Sequence, residues 1–397
     1  MAILQGPWGP AISEESRMIQ FDHVDKAYKN KSVLLDINLT IKDGEFMVLI
    51  GASGCGKTTL LKTINKLNTI NAGDIQIDGK SIKGIPSIEL RRRIGYVVQD
   101  AGLFPHMTVA ENIGAILKIT GYDPEKLQSR IDELLTMVDL PAEAYRDLYP
   151  CQLSGGQRQR VGVARAFSTS PDIILMDEPF SALDPVTRSD LQDAIVKLQK
   201  HFHKTIVFVT HDMDEAIKMA DRICIIQNGR IVQCDTPEQI LKNPANDYVK
   251  NFIGKNRIWS NPAFIEARDI MLKNPSRISA DRTIIQALQV MNHARVDSVL
   301  VTEGQKFLGI VWLSDLKSLP TYDMPLKNII SEDYHAVQET TTLKEIINSV
   351  NYEAAGIIPV LDKENNLKGF LTKSRLLAVL SLQYQDAPDQ KKEGLLA

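Results

Sequence analysis

Short, unbroken apolar runs recur along the first 255 positions, each followed by glycine or carboxylates and then by a segment of helical spacing. Phe46-Met47-Val48-Leu49-Ile50 is the clearest, ending at Gly51, with a helical pattern opening at Leu60-Leu61-Lys62-Thr63-Ile64. Residues 172–178 and 206–209 have the same form. Such runs suit strands buried on both faces. The alternation of strand-like and helix-like segments from Ile19 to about Lys255 predicts α/β layers, with the first strand opening at Met18. Between Gln99 and Leu153 the spacing turns helical, and residues 112–119 and 126–139 are the candidate helices.

After residue 255 the pattern changes to two segments that repeat with a period of about sixty residues. Each reads strand, helix, strand, polar turn, strand, helix. The first, 256–320, holds 278–281, a helix through Met291, then 296–301 and 309–316; the second, 321–382, holds 337–340, a helix through Val350, then 356–361 and 369–376. Glu303-Gly304-Gln305 and Lys363-Glu364-Asn365-Asn366 supply the turns. Residues 1–17 have Gly-Pro breaks and neither a basic start nor an apolar core, so they read as a disordered extension and not a secretory signal. Residues 383–397 are polar and mixed in charge, a flexible tail.

A chain of 397 residues with 44% hydrophobic content is long enough for two or three cored domains. Its net charge of −3 gives no basic excess to argue for nucleic acid. No apolar run approaches the roughly eighteen residues of a membrane span. Cys55, Cys151, Cys224 and Cys234 are scattered without a C-x-x-C pair, which reads as a reducing compartment with neither zinc nor disulfides.

Candidate chemistry sits at the ends of the apolar runs. Residues 51–59, GASGCGKTT, fit G-x-x-x-x-G-K-[ST], and the strand before and helix after are the context that phosphate loop requires. Backbone N–H groups and the positive helix end converge on phosphates there. Ser53, Gly54, Cys55, Gly56, Lys57, Thr58 and Thr59 are therefore candidate ATP-binding residues. Lys57 is the point charge for the terminal phosphates and Thr58 a ligand for Mg²⁺. Asp177 and Glu178 follow an aliphatic strand, which suits a metal-holding carboxylate and a general base that activates water. Leu153-Ser154-Gly155-Gly156-Gln157 reads LSGGQ, a run rare outside one ATPase class, at the start of a helical pattern.

From residue 18 to 255 the series resembles the nucleotide-binding subunit of an ABC transporter, a P-loop NTPase. The resemblance implies that Tyr28 stacks on adenine and that Gln99 is the Q-loop residue that contacts Mg²⁺ and follows the membrane partner. Ser154, Gly155, Gly156 and Gln157 match the signature loop, residues 181–184, ending in Asp184, match the D-loop, and His211 the switch that senses the γ-phosphate. It further implies that a second copy of the chain closes the site with its signature loop, so that two ATPs lie in an isologous homodimer. The helical insert of about 100–160, with residues 103–109 at its edge, would receive the transmembrane permease subunits. A substrate-binding protein outside and a peripheral place on the cytoplasmic membrane face complete the implied assembly.

The repeats resemble a tandem CBS pair, an α/β module that binds adenine nucleotides. The family pattern Gly-h-h-Thr-x-x-Asp, where h is apolar, is broken in each copy: the first has Trp312 for the Thr but keeps Asp315, and the second keeps Thr372 but has Arg375 for the Asp. ABC ATPases with such a tail resemble the osmoprotectant importers for glycine betaine, carnitine or choline, where the tail is a brake and cyclic di-AMP a known ligand class. Candidate lining residues are Val296, Ser298, Asp315, Ile357, Phe370, Thr372 and Lys373, with Lys373 or Arg375 toward a phosphate. A passive dimerisation module and an ionic-strength sensor remain open alternatives. So does an exporter, or a transporter of another cargo such as bile salts or choline-like thiols. A soluble, non-transport ABC ATPase is disfavoured by the single cassette and the lack of zinc cysteines.

Overall fold

The computed structural model describes residues 18–382 except 30, 182, 255–256, 258–260, 318–321, 332 and 350–355. The extension 1–17, the tail 383–397, Ala182 and the expected boundaries at 255/256 and 320/321 lie outside the described residues. The chain divides at Ile253/Gly254 into two compact units.

The first unit holds two sheets. An antiparallel one has the order β2-β1-β4-β5, from β1 (Met18–Tyr28), β2 (Lys31–Lys42), β4 (Ala72–Ile77) and β5 (Lys80–Ser81). The other has the order β10-β9-β3-β8-β7-β6, from β3 (Phe46–Ile50), β6 (Ile94–Val97), β7 (Ile173–Asp177), β8 (Thr205–Thr210), β9 (Arg222–Gln227) and β10 (Arg230–Asp235). β3, β7 and β8 are buried at every residue, as parallel strands covered on both faces must be. β2 alternates instead, burying Leu34, Ile37, Leu39 and Ile41 and exposing Asp36, Asn38 and Thr40.

The register decides where the chemistry lands. β3 pairs in parallel with β8, and β8 with β7, so that Ile50 stands beside Thr210 and Asp177 beside Val209. The carboxyl ends of three neighbouring strands thus bring the residues after Ile50, Asp177 and Thr210 to one edge, where α/β sheets leave their crevice. β6, paired with β7, leads toward Gln99 at the same end.

The helical insert contains Val109–Ile119 and Pro124–Met137. The first starts three residues before the expected 112 because Thr108 and Glu111 form a capping box.

The second unit has two three-stranded sheets of one topology. β11 (Arg277–Ser279) runs parallel to β12 (Ser298–Glu303), which is antiparallel to β13 (Lys306–Trp312). β14 (Val337–Gln338), β15 (Ile357–Leu361) and β16 (Leu367–Thr372) repeat that arrangement. The repeats exchange segments. Ile265, Ala267 and Ile270, which precede β11 of the first repeat, pack in the core of the second, and Leu326 with Met324 and Ile330, which precede β14 of the second, packs in the core of the first. Two glycines admit the crossings: a Cβ on Gly309 would stand 2.3 Å from Ile330 Cγ2, and one on Gly369 2.7 Å from the Leu272 carbonyl. A third cluster, built on Leu300, Phe307, Ile310 and Leu361, joins the two sheets.

Candidate functional site

Gly56 takes the left-handed conformation (φ 111°) and starts the helix Lys57–Ile64, whose first N–H groups have no partner within the helix. Lys57 is buried and its Nζ donates to the carbonyls of Gly51 at 2.8 Å and Ala52 at 3.2 Å. The phosphate-loop cation is thereby held over its own loop. Thr58 Oγ1 donates to Asp177 Oδ1 at 2.7 Å, and Lys62 Nζ lies 3.3 Å from Asp177 Oδ2. A hydroxyl and a carboxylate in direct contact are the hard oxygen donors Mg²⁺ selects, and one or two protein ligands are the usual number when phosphates and water fill the remaining positions. The residues present therefore fit the metal.

Glu178 follows β7 with φ 46°, a conformation unfavourable for a non-glycine residue. Its N–H donates to the Val209 carbonyl at 3.0 Å, which fixes the backbone against β8. His211 Nδ1 stands 3.2 Å from Glu178 Oε2. Behind them, burial and then the charge of Asp177 push the Tyr96 phenol well above its ordinary pKa, and its hydroxyl makes no hydrogen bond among the described residues.

One cleft is lined by Val33, Ser53, Gly54, Gly56, Lys57, Thr58, Thr59 and Glu178. Seven of these were expected from the sequence; Val33 was not. Its signal lay in the run Val33-Leu34-Leu35, which breaks the alternation of β2 and leaves Val33 half-buried beside Leu34 in the core. Cys55 is part of the loop, but its side chain is buried in the core cluster with Leu60 and Cys224, and burial raises its thiol pKa. Tyr28 is exposed outside the cleft lining, with Lys26 Nζ 4.7 Å from its ring centre. Gln99 is exposed after β6.

The signature residues form a helix start of their own. Ser154 caps the helix Gly155–Phe167: its Oγ accepts from the Gln157 N–H at 3.2 Å, and Gln157 Oε1 accepts from the Ser154 N–H at 2.8 Å. Ser154 and Gly155 are exposed, and none of the four lines the cleft of the same chain. Asp184 caps the helix Pro185–Phe202, and its bond with Thr187 holds its carboxyl below the usual range.

In the second unit, Ser298 pairs with Trp312 across β12 and β13, and Ile357 with Thr372 across β15 and β16. Trp312, Ile357 and Phe370 pack on the cluster joining the sheets, and the Trp312 ring would meet a Cβ on Gly356 at 2.9 Å. Val296 packs instead with the core of the first repeat. Thr372 Oγ1 accepts from the Arg375 N–H at 3.2 Å, and Arg375 Nε donates to the Ile270 carbonyl at 2.9 Å. The arginine standing where the pattern has Asp thus holds the exchanged segment. Asp315 is exposed within 3.0 Å of Ser314 Oγ, and Lys373 is exposed at the start of the helix Lys373–Leu382.

Residues 34–181 match the ABC transporter family model, and residues 267–319 and 326–382 that of the CBS domain. A glycine betaine/carnitine/choline transport ATP-binding protein of Bacillus subtilis is 45% identical over 366 residues, covering 91% of this chain and 96% of that one. A carnitine transport ATP-binding protein of Listeria monocytogenes is 45% identical over 366 residues, covering 91% and 92%. Among solved structures, a dimeric ATP-binding cassette in a post-hydrolysis state with ADP and Pi is 36% identical with a TM-score of 0.51, covering 55% of this chain and 98% of that one.

Proposed function

The chain belongs to the ATP-binding subunits of ABC transporters for glycine betaine, carnitine and choline, and from that membership we propose that it powers uptake of a quaternary-ammonium solute. The observation that carries the catalytic part is the meeting of three strand ends: Thr58 against Asp177, and Glu178 against His211, beside an open phosphate loop.

Lys57 and the N–H groups of the loop hold the β- and γ-phosphates of ATP. Thr58 and Asp177, with Gln99, would hold Mg²⁺, which would supply charge neutralisation for the phosphates. Glu178 orients the attacking water and takes its proton, while His211 positions the γ-phosphate. Tyr28 stacks on the adenine. The signature loop supplies the complementary half: Ser154, Gly155, Gly156 and Gln157 present a helix N-terminus to the γ-phosphate bound by a second copy of the chain, and Asp184 meets that copy. The exposed Ser154 and Gly155, absent from the cleft of their own chain, support this two-copy arrangement.

No helix among the described residues is long and apolar enough to cross a membrane. In this reading, which rests on the importer relatives, permease subunits carry the solute and hold this chain at the cytoplasmic face, and a substrate-binding protein delivers the cargo. The second unit regulates turnover, and its ligand is a cyclic dinucleotide such as cyclic di-AMP. The seam of Trp312, Ile357 and Phe370 supplies aromatic and apolar surface for a base, and Lys373 the charge for a phosphate.

Assembled with its permease and binding protein in liposomes, the chain should hydrolyse ATP faster when glycine betaine, carnitine or choline is present on the binding-protein side. Cyclic di-AMP should suppress that stimulation. Turnover indifferent to all three solutes contradicts the import reading, and indifference to the dinucleotide removes its regulatory part alone.

A further inference from the structure

The helix Pro185–Phe202 carries Arg188 in its first turn. Arg188 Nη2 donates to the Leu183 carbonyl at 3.0 Å, and its backbone N–H to the Asp184 carbonyl at 2.9 Å, which ties the residue to the D-loop. The same guanidinium faces the segment around His211. Nη1 lies 3.8 Å from Asp212 Oδ2, and Nε 3.9 Å from Glu215 Oε1. Glu215 is buried and accepts from Thr210 Oγ1 at 2.6 Å, and that hydroxyl accepts from the Asp212 N–H at 3.0 Å. Thr210 and Asp212 are the two neighbours of His211, so this network grips the switch residue from both sides.

On its other side the helix meets the signature loop. A Cβ on Gly156 would stand 2.5 Å from Cγ2 of Thr187, the residue before Arg188, so the two helix starts are in direct contact. Farther along, Lys218 Nζ binds Asp193 Oδ1 at 2.8 Å and Ser189 Oγ at 3.1 Å, which fastens the helix Met213–Met219 to the same helix. Arg188 Nε is buried and makes no hydrogen bond among the described residues. It needs a shift of only about 1 Å to gain a charge-assisted bond to Glu215. Burial raises the Glu215 pKa, while Thr210 and Arg188 draw it back down.

We propose that Arg188 is a positioning residue that couples the two ATP sites of the dimer. The signature loop, engaged on the partner's ATP, presses through Gly156 and Thr187 on the start of this helix, and Arg188 passes the displacement through Asp212 and Glu215 to His211 in its own site. This rests on the two-copy reading given above. Arg188 touches neither phosphate nor metal in this scheme, so its removal should change turnover and cooperativity, and leave ATP affinity alone.

In the full chain with Mg-ATP, Arg188→Ala should lower kcat about tenfold, hold KM for ATP within about twofold, and drive the Hill coefficient toward 1. Arg188→Lys should restore part of kcat, because the charge returns without the planar fork that reaches carbonyl and carboxylates together. Wild-type turnover and cooperativity in Arg188→Ala overturn the proposal. A parallel loss of ATP binding and thermal stability also overturns it, as the mark of a merely structural role. If Arg188→Ala does not fold, Glu215→Gln takes its place, since it keeps the shape and removes the charge: the same loss of kcat and cooperativity supports the proposal, and unchanged kinetics overturn it. The two-copy reading fails separately, when Glu178→Gln alone stays monomeric with ATP.

Discussion

The two units of this chain put polar side chains at strand ends in opposite ways. In the first, residues from different strands meet one another: Thr58 with Asp177, and Glu178 with His211. In the second, the residues at the corresponding pattern positions turn to nearby backbone. Thr372 caps its own helix, and Arg375 holds the carbonyl of Ile270. The first arrangement leaves charged and hydroxyl groups gathered at an open cleft, where they can act on a ligand. The second uses the same kinds of group to fasten the fold. Substitutions in the first should therefore alter turnover at little cost in stability, and substitutions in the second the reverse.

The sharpest way to break that contrast is at Glu178. Glu178→Gln should lower ATP turnover by about 100-fold or more, the contribution expected of a general base, with no fall in melting temperature. Steady-state phosphate release checks it, and a variant that keeps wild-type turnover sinks the assignment. The complementary probe is Phe307, buried in the cluster between the two repeats and packed edge-on against Tyr334 at 5.0 Å. Phe307→Ala should destabilise the second unit by about 3–5 kcal/mol while basal ATP turnover per folded molecule is unchanged. Denaturant melts of the full chain should show one transition moving and the other staying.

A smaller effect is expected at Ser154. Ser154→Ala removes the cap of the signature helix and should cost about 1 kcal/mol. Because the hydroxyl also faces the partner's phosphate in the two-copy reading, turnover should fall by more than the lost stability explains. Ser154→Gly, which is tolerated at an N-cap at a cost of only about a few tenths of a kcal/mol but lacks the hydroxyl, separates the two contributions.

The smallest is a pH effect in the second unit. Asp362 accepts from the Asn366 N–H at 2.8 Å and from Asn366 Nδ2 at 3.0 Å, and it lies 3.1 Å from Lys368 Nζ. Asn366 first, with Lys368 adding to it, holds its carboxyl at about 2. Its folded pKa is thus below the unfolded one. The stability it supplies is present above the ordinary carboxylate range and is lost as the pH falls through that range toward about 2. Asp362→Asn should flatten this acid limb, as chemical denaturation at stepped pH would report.

How much of this could be read from residues alone follows the same division. The phosphate loop, the strand before Asp177 and the signature run were legible because phosphate and metal chemistry require fixed residue types at fixed spacings, and their strands are buried on both faces without interruption. Val33 was not, because any apolar side chain serves there. Strand β1 reaches Tyr28 although its alternation fails at Asp22-His23, since shifts of register between Phe21 and Val24 and on either side of Lys26 restore the pairing with β2. In the second unit the repeat and its strand order were plain, but the exchange of segments was not. Ile265 and Ile270 look alike as core residues whichever repeat receives them. Arg375 read as a broken ligand motif, and only the position of the Ile270 carbonyl gives it a structural partner.

The account turns on two copies of the chain closing on ATP with Glu178 as the base. Its most direct test is the mass in solution of purified Glu178→Gln with and without Mg-ATP, by light scattering behind a sizing column. The account predicts a monomer without nucleotide and a dimer with ATP that ADP does not support. A variant that remains monomeric at saturating ATP, or that dimerises equally with ADP, would contradict it.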